Sequence, residues 1–411
     1  MHIKIKRKAD CCGCSACVIK CPKQCITLIE DEEGFLYPKV DESRCISCSQ
    51  CLKVCPHLNP FEGRKALQVI SAYNFNETIR LESSSGGMFT LLAERIITQG
   101  GIVFGARFDE TWNVIIDFTD NYEGLSPFRG SKYVQANTND TFKKCESSLK
   151  SGRLVLYSGT PCQIAGLKHY LCKEYDNLVT IDFVCHGVPS PKVWRLYLSE
   201  VQNRLSSNSI SDTATTDLRS PITSINFREK SDGWKRFRFV VDFNSNISAS
   251  KDGFKICECH RENVFMKAFL SDMILRPSCY YCKSKKLKSG ADITLGDFWG
   301  ANFIQPDMFD DKGTSLVLIN SKKGQLLMNG LNCKTRNLNY NDAYRSNQAI
   351  EDSAIEWPKR KLFFEKLNYT ESVEVLIKEM LKPPASMIVR NAFLFPYKCV
   401  KRIVNRLVRD Y

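Results

Sequence analysis

Eight cysteines near the N-terminus stand in two matching runs: Cys11, Cys14, Cys17 and Cys21 before Pro22, and Cys45, Cys48, Cys51 and Cys55 before Pro56. Each member of the first run recurs 34 residues later, as Cys11 does at Cys45, which marks an internal duplication. In a CxxCxxCxxxCP run the first three thiolates wrap one corner of a 4Fe-4S cube, and the fourth, on the helix beyond, ligates the other cube of a pair. The spacing therefore predicts one cluster on Cys11, Cys14, Cys17 and Cys55, and another on Cys45, Cys48, Cys51 and Cys21. Structural zinc, the competing use of clustered thiols, takes CxxC pairs but needs neither the third spaced cysteine nor the proline. The chemistry implied is transfer of single electrons.

Four more cysteines extend the question into the rest of the chain. The stretches "RLVLYSGTPCQIAGLKHYL" and "LVTIDFVCHGVPSPKVWRLYL" each read as strand, loop and helix. In a βαβ arrangement Cys162 and Cys185 fall at the carboxyl edge of a parallel sheet, where ligands bind. "RPSCYYCKSKKLKSGADITLGDFWG" adds Cys279 and Cys282 ahead of a strand ending at Asp297. Cys162, Cys185, Cys279 and Cys282 thus form a candidate third 4Fe-4S site, and a zinc knuckle of Cys257, Cys259, Cys279 and Cys282 is the alternative. In "LESSSGGMFTLLAERIITQGG" a Ser- and Gly-rich loop leads into an amphipathic helix. Free amides at such a start accept an anion, and Gly86 and Gly87 would let a phosphate close on the backbone; a plain N-cap is the other reading. Cys12, Cys25, Cys145, Cys172, Cys333 and Cys399 read as packing residues.

These groups need elements to position them. "CITLIEDEEGFLYPKVDESRC" reads as two short strands turning at Asp31 to Gly34, the hairpin of a two-cluster ferredoxin domain. Pro, Asn and Gly in "PHLNPFEGRK" end that unit. The expected architecture is α+β: a bacterial-type two-cluster ferredoxin domain over 1–62, then a mixed α/β body over 63–365. Residues 203–224, rich in Ser, Thr and Asn, read as a surface insertion in that body. Residues 366–411 read as a basic helical tail. In "PYKCVKRIVNRLVRDY", Val400, Ile403, Val404, Leu407, Val408 and Tyr411 share one helical face opposite Lys and Arg. That face is expected to pack on the body or on a partner, with peripheral contact to the inner face of an anionic membrane as the alternative.

A chain of 411 residues that is 43% hydrophobic can bury a large core. Twenty cysteines with no apolar leader ahead of Cys11 point to a reducing, cytoplasmic compartment in which thiols are ligands rather than disulfides. No apolar run approaches the roughly 18–20 residues of a membrane span. The formal charge of +13 invites nucleic acid. Three cubes at about −2 each and a pyrophosphate at about −2 would bring it near +5. No nucleic-acid-binding motif accompanies it, so no nucleic-acid partner is expected.

"SSSGGMFT", "GSKYVQA", "YSGTPCQIAGL", "VCHGVPSP", "CYYC" and "ADITLGDFWG" occur in this order behind the cysteine runs. Together they resemble the coenzyme F420 hydrogenase/dehydrogenase beta-subunit family over residues 1 to about 320. The resemblance implies an oxidoreductase whose FAD exchanges a hydride with a small-molecule substrate or redox coenzyme and passes single electrons to the clusters. It implies an electron-donor protein such as ferredoxin as partner, and a setting in surface-polysaccharide synthesis. By the same resemblance Ser85, Gly86, Gly87 and Lys132 approach the flavin phosphates or ribityl chain. His186, beside Cys185, is the candidate catalytic proton donor, with a structural histidine as the alternative. Asp297 and Trp299 would shape the same pocket, with simple core packing of the aromatic as the alternative. An arginine that family members carry shortly before "DIT" is absent; Lys288 and Ser289 stand there, and lysine does not reproduce a bidentate guanidinium. Two function classes follow: an enzyme with its own substrate, or an electron-transfer subunit that feeds a partner enzyme.

Overall fold

The computed structural model describes residues 1–208, 222–244 and 255–382. Strands β1 (Ile26–Glu30) and β2 (Leu36–Val40) pair antiparallel with Ile26 opposite Val40. Asp31 closes their hairpin, its Oδ1 accepting from the amides of Glu33 at 3.1 Å and Phe35 at 2.8 Å. Gly34 supplies the positive φ that the turn requires. One-turn helices at Ala16–Ile19 and Gln50–Lys53 each follow a left-handed serine, Ser15 and Ser49. The duplication is therefore carried by backbone conformation as well as by cysteine spacing.

Beyond this unit the chain lays down β3 (Gln68–Asn74), β4 (Ile102–Phe108), β5 (Val114–Thr119), β6 (Val155–Gly159) and β7 (Leu178–Phe183). Next come β8 (Ile222–Glu229), β9 (Arg238–Phe243) and β10 (Lys255–Cys259), which form their own antiparallel sheet. Last come β11 (Ile293–Asp297), β12 (Ser315–Ile319) and β13 (Cys333–Asn337). The main sheet has the order β13-β3-β12-β11-β7-β6-β4-β5. Its centre, β4, β6, β7 and β11, is parallel, and the strands on either flank are antiparallel. Both β6 and β12 are buried along their whole length, as strands covered on both faces must be.

The helix Pro161–Leu171 joins β6 to β7 and starts where its sequence dictates. Thr160 and Gln163 form a reciprocal capping box, and Pro161 takes the first helical position. Cys162 is thereby fixed on the first turn at the carboxyl edge of the sheet. Trp194 and Tyr197, on the helix Pro191–Asn208, pack against Phe227, Phe239 and Phe265 and anchor the small sheet to the body.

The N-terminal unit is clasped to the body by buried polar contacts. Glu33 and Arg360 form a buried ion pair at 2.5 Å, and Ser190 Oγ donates to the Glu33 carbonyl at 2.5 Å. Gly166 lies so close to Cys14 that a Cβ there would stand 2.8 Å from its Sγ.

Two sequence-based boundaries fall elsewhere. The helix Pro191–Asn208 runs through the start of the expected 203–224 insertion, and β8 takes up its end; 209–221 lie outside the described residues. The helix Arg360–Leu367 crosses the expected start of the tail, and Val373–Met380 packs Val373, Leu376, Ile377 and Met380 into the core. The basic amphipathic segment expected at the C-terminus lies outside the described residues, as does Cys399. Among the described residues no helix is long and apolar enough to cross a membrane.

Candidate functional site

Among the described residues three voids are each bordered by four or more thiols. Cys11, Cys14, Cys17 and Cys55 face one, and Cys21, Cys45, Cys48 and Cys51 face a second, with Cys25 at its side. The fourth cysteine of each run thus stands at the void of the other run. Cys162, Cys185, Cys279 and Cys282 meet at a third void, brought together from the βαβ unit and the turn Pro277–Tyr281. Among the described residues no three His, Cys, Asp or Glu side chains converge on a single ion. Thiols spread round a void suit a cube, in which each iron takes one thiolate, and not a zinc ion held by all four. Cys257 and Cys259 line none of these voids; they lie on β10, with Cys257 exposed.

Cys12 is a correction to the sequence reading. It borders both the first and the third void and hydrogen-bonds with Cys14 and Cys162, so it is no mere packing residue. Cys172 is another, being an exposed cap in left-handed conformation that donates to the His169 carbonyl at 3.1 Å. Cys145 is fully buried in the core. Burial pushes Cys185 up to about 12 and raises Cys279 and Cys282, while Cys162 is raised first by its hydrogen bond with Cys12 and then by burial. Such thiols stay protonated until a cation replaces the proton, as iron does on binding.

A cavity of about 820 Å³ opens in front of the third void. Cofactor pockets span about 300–1,000 Å³, so this one has room for a dinucleotide. Ser83–Ser85, Gly87, Lys132, His186, Asp297 and Trp299 all line it. Gly86 does not: a Cβ there would sit 2.4 Å from the Ala72 carbonyl oxygen, so its bareness serves the packing of the loop against β3 and β12. The helix Met88–Thr98 begins after Gly87 with no side chain capping it. Lys230 holds the preceding loop, donating to the carbonyls of Ser85, Arg80 and Lys312 at 2.8–2.9 Å. Lys132 is turned to its own loop, with its Nζ on the carbonyls of Pro127, Arg129 and Gly130, and burial pushes it down to about 7.

Arg228, which the sequence reading missed, also lines the cavity and is 3% exposed. Its Nη1 donates to Asp297 at 2.6 Å, and its plane lies between Phe237 and Trp299. Its other polar neighbour is the Tyr133 phenol, which hydrogen-bonds with the guanidinium and is pushed up by burial. Trp299 stacks on Trp234 at 4.8 Å. Lys288 and Ser289 are absent from the lining, and the guanidinium groups there come from Arg129, Arg228 and Arg261.

His186 borders the large cavity and the third thiol void together, as do Cys185, Gly187 and Val188. Its ring is oriented by Asp272, a residue with φ +63° whose side chain gave no local signal in the sequence.

Comparison with known proteins fits this geometry. Residues 152–338 match the family that comprises the C-terminal part of the coenzyme F420 hydrogenase/dehydrogenase beta subunit, and residues 10–59 match a 4Fe-4S dicluster domain. The first of these matches takes in Cys162, Cys185, Cys279 and Cys282, and the second all eight cysteines of the duplicated runs. The dicluster match supports two 4Fe-4S clusters over residues 10–59. A curated relative, NADH-quinone oxidoreductase subunit I 2 of Geobacter metallireducens, is 41% identical over 54 residues. The match covers 12% of this chain and 41% of that protein, so the chain spans well under half of the relative's length. A chain of the F420-reducing [NiFe] hydrogenase complex from Methanosarcina barkeri superposes with a TM-score of 0.44 and 17% identity, covering 75% of this chain and 94% of that one. The expected setting in surface-polysaccharide synthesis finds no support in the comparisons.

Proposed function

We propose that the chain is a flavin-dependent enzyme in which single electrons from a donor protein pass through three 4Fe-4S clusters to a flavin, FAD in the simplest case, held in the large cavity. A hydride is exchanged there with a small-molecule substrate or redox coenzyme. The observation that carries this reading is the shared wall: the segment Cys185–Val188 borders the cavity on one side and the third thiol void on the other. A cluster and a two-electron carrier would stand on either side of one stretch of backbone.

A bound flavin supplies the conversion between one-electron and two-electron chemistry. The chain's own residues do the rest. Ser83–Ser85, Ser131 and the uncapped start of the helix Met88–Thr98 offer donors to phosphate oxygens. Arg129, Arg228 and Arg261 bring guanidinium groups to the cavity, the first two balanced by Glu82 and Asp297, and a guanidinium edge is a donor pair suited to an oxyanion. Met88, Val134, Phe269 and Leu295 keep water from the reacting atoms. His186 holds a proton at Nε2 against the Asp272 carboxylate, which leaves Nδ1 as the nitrogen able to take or give one.

Electrons would enter at the second void, the one nearest the surface: Cys48 is exposed there, beside Ile46 at 57% exposure. The same exposed edge serves the second reading, an electron-transfer subunit that delivers reducing equivalents to a partner enzyme. Turnover by the isolated chain favours the enzyme, and turnover only in a complex favours the subunit.

The test is anaerobic purification with iron, sulfide and flavin counted per chain. About twelve irons and one flavin are expected. Eight irons in fully loaded protein would remove the third cluster, and a colourless supernatant after heat denaturation would remove the flavin.

A further inference from the structure

Arg276 is a wholly buried cation, at 0% exposure, placed where the N-terminal unit meets the body. Its Nε donates to the Cys11 carbonyl at 2.7 Å, its Nη1 to Gln135 Oε1 at 2.9 Å and its Nη2 to the Leu36 carbonyl at 2.9 Å. Tyr37 and Phe35 lie beneath the guanidinium, 4.4 Å and 5.3 Å from its carbon. All the acceptors are neutral, and no described carboxylate forms an ion pair with it. Burial works against its charge, and the ionisable groups placed to offset that are Cys11, Tyr37, Cys12 and Cys279.

The backbone of Arg276 is hydrogen-bonded to two residues that line the third void, Val188 and Cys279. Its carbonyl accepts from the Cys279 amide at 2.9 Å, and its amide donates to Val188, whose own amide reaches Cys279 Sγ at 3.4 Å. Gln135 completes the link, donating through Nε2 to the Cys12 carbonyl at 3.1 Å. One side chain thus bridges the loop that begins the first thiol set and the turn that carries half of the third.

A buried arginine without a counter-ion is costly, because desolvation of the charge is not offset by neutral acceptors alone. Charge of the opposite sign must come from what the flanking thiols hold. A cube with four thiolates carries about −2 when oxidised and about −3 after gaining one electron, so a fixed cation nearby stabilises the reduced form more than the oxidised.

We propose that Arg276 is the shared counter-charge of the two clusters held by Cys11, Cys14, Cys17 and Cys55 and by Cys162, Cys185, Cys279 and Cys282, and that it raises the reduction potential of both. It is a positioning and tuning residue, touching neither substrate nor flavin. Its effect is to hold an incoming electron on the inner part of the relay, next to the flavin cavity. The proposal rests on the three-cluster reading above.

The experiment is an EPR-monitored redox titration of the anaerobically purified full chain, with iron counted first. Arg276→Gln should lower the midpoints of these two cubes by a tenfold or greater change in the reduction equilibrium, about 59 mV for one electron. The cube of Cys21, Cys45, Cys48 and Cys51, whose void has no hydrogen bond to Arg276, should stay unmoved as an internal control. Arg276→Lys, which keeps the charge, should leave all three near the wild type, a contrast that a purely structural role would not produce. Where Arg276→Gln fails to load iron, Gln135→Glu carries the test, since it sets a carboxylate against Nη1 and neutralises the cation in place; the same lowering is expected. Twelve irons with unmoved potentials overturns the role of Arg276 alone. Eight irons in the wild type removes the third cluster, and with it any sharing of the charge.

Discussion

The Nε2 atom of His186 lies 2.5 Å from Oδ1 of Asp272, and the other oxygen of that carboxylate accepts from the Ile355 amide at 3.1 Å. The imidazole at the wall of the cavity therefore has a fixed orientation and an anionic partner. If it moves the proton that accompanies hydride exchange, His186→Gln should cut turnover on the order of 10²-fold or more, while iron and flavin content hold. Asp272→Asn should act in the same direction, and the double variant should lose little beyond the worse single one, because the two act as a unit. Steady-state rates with any two-electron coenzyme that supports wild-type turnover check this. Unchanged rates in His186→Gln would leave it a structural histidine.

Iron content separates the thiol voids. Cys48→Ser and Cys162→Ser should each remove about four of about twelve irons, by different routes, since one lies in the duplicated runs and the other on the helix after β6. Cys257→Ser should remove none. Loss of zinc on that last substitution would restore the knuckle reading.

Gly86 distinguishes a packing role from a ligand role. Because a Cβ would press on the Ala72 carbonyl and on Ser315, Gly86→Ala should cost about 1–3 kcal/mol of stability even in flavin-free protein. A thermal unfolding scan of flavin-free wild type and variant shows it. A variant with normal stability that merely fails to keep flavin would return this glycine to the phosphate.

Asp182 predicts a pH dependence. It stands near the end of β7 at 2% exposure, and burial pushes its carboxyl up to about 6. Between about pH 4 and 6 the unfolded chain has released a proton that the folded chain keeps, so stability falls as pH rises through that window, by up to about 3 kcal/mol. Asp182→Asn lacks this fall. Its unfolding midpoint relative to wild type should climb from pH 5 to 6.5 and level off above; a constant difference would show that Asp182 ionises freely in the fold.

What the sequence disclosed divides by range. The duplicated cysteine runs are local, with ligand loops a few residues long, and both the one-turn helices and the exchange of fourth cysteines follow from that short spacing. The βαβ unit was legible from "YSGTPCQIAGL" because the cap, the proline and the apolar run agree. Arg276, Arg228 and Asp272 were not. Each has a partner 69 to 265 positions away, as Asp297 stands from Arg228 and Cys11 from Arg276, and nothing in its neighbours marks it. Gly86 was not decided by the sequence, because a glycine before a helix looks the same whether it makes room for a phosphate or for a strand. Cys12 was set aside because it breaks the ligand spacing, yet that offset puts it between two voids.

The exposure of Cys48 has a consequence for handling the protein. Oxygen and chelators reach Cys48 in the second repeat through open solvent, whereas Cys162, Cys185, Cys279 and Cys282 are all only partly exposed. Damage in air should therefore begin at the outer edge and move inward. A preparation aged in air would lose its outermost cluster first and, still brown and still folded, no longer accept electrons from outside.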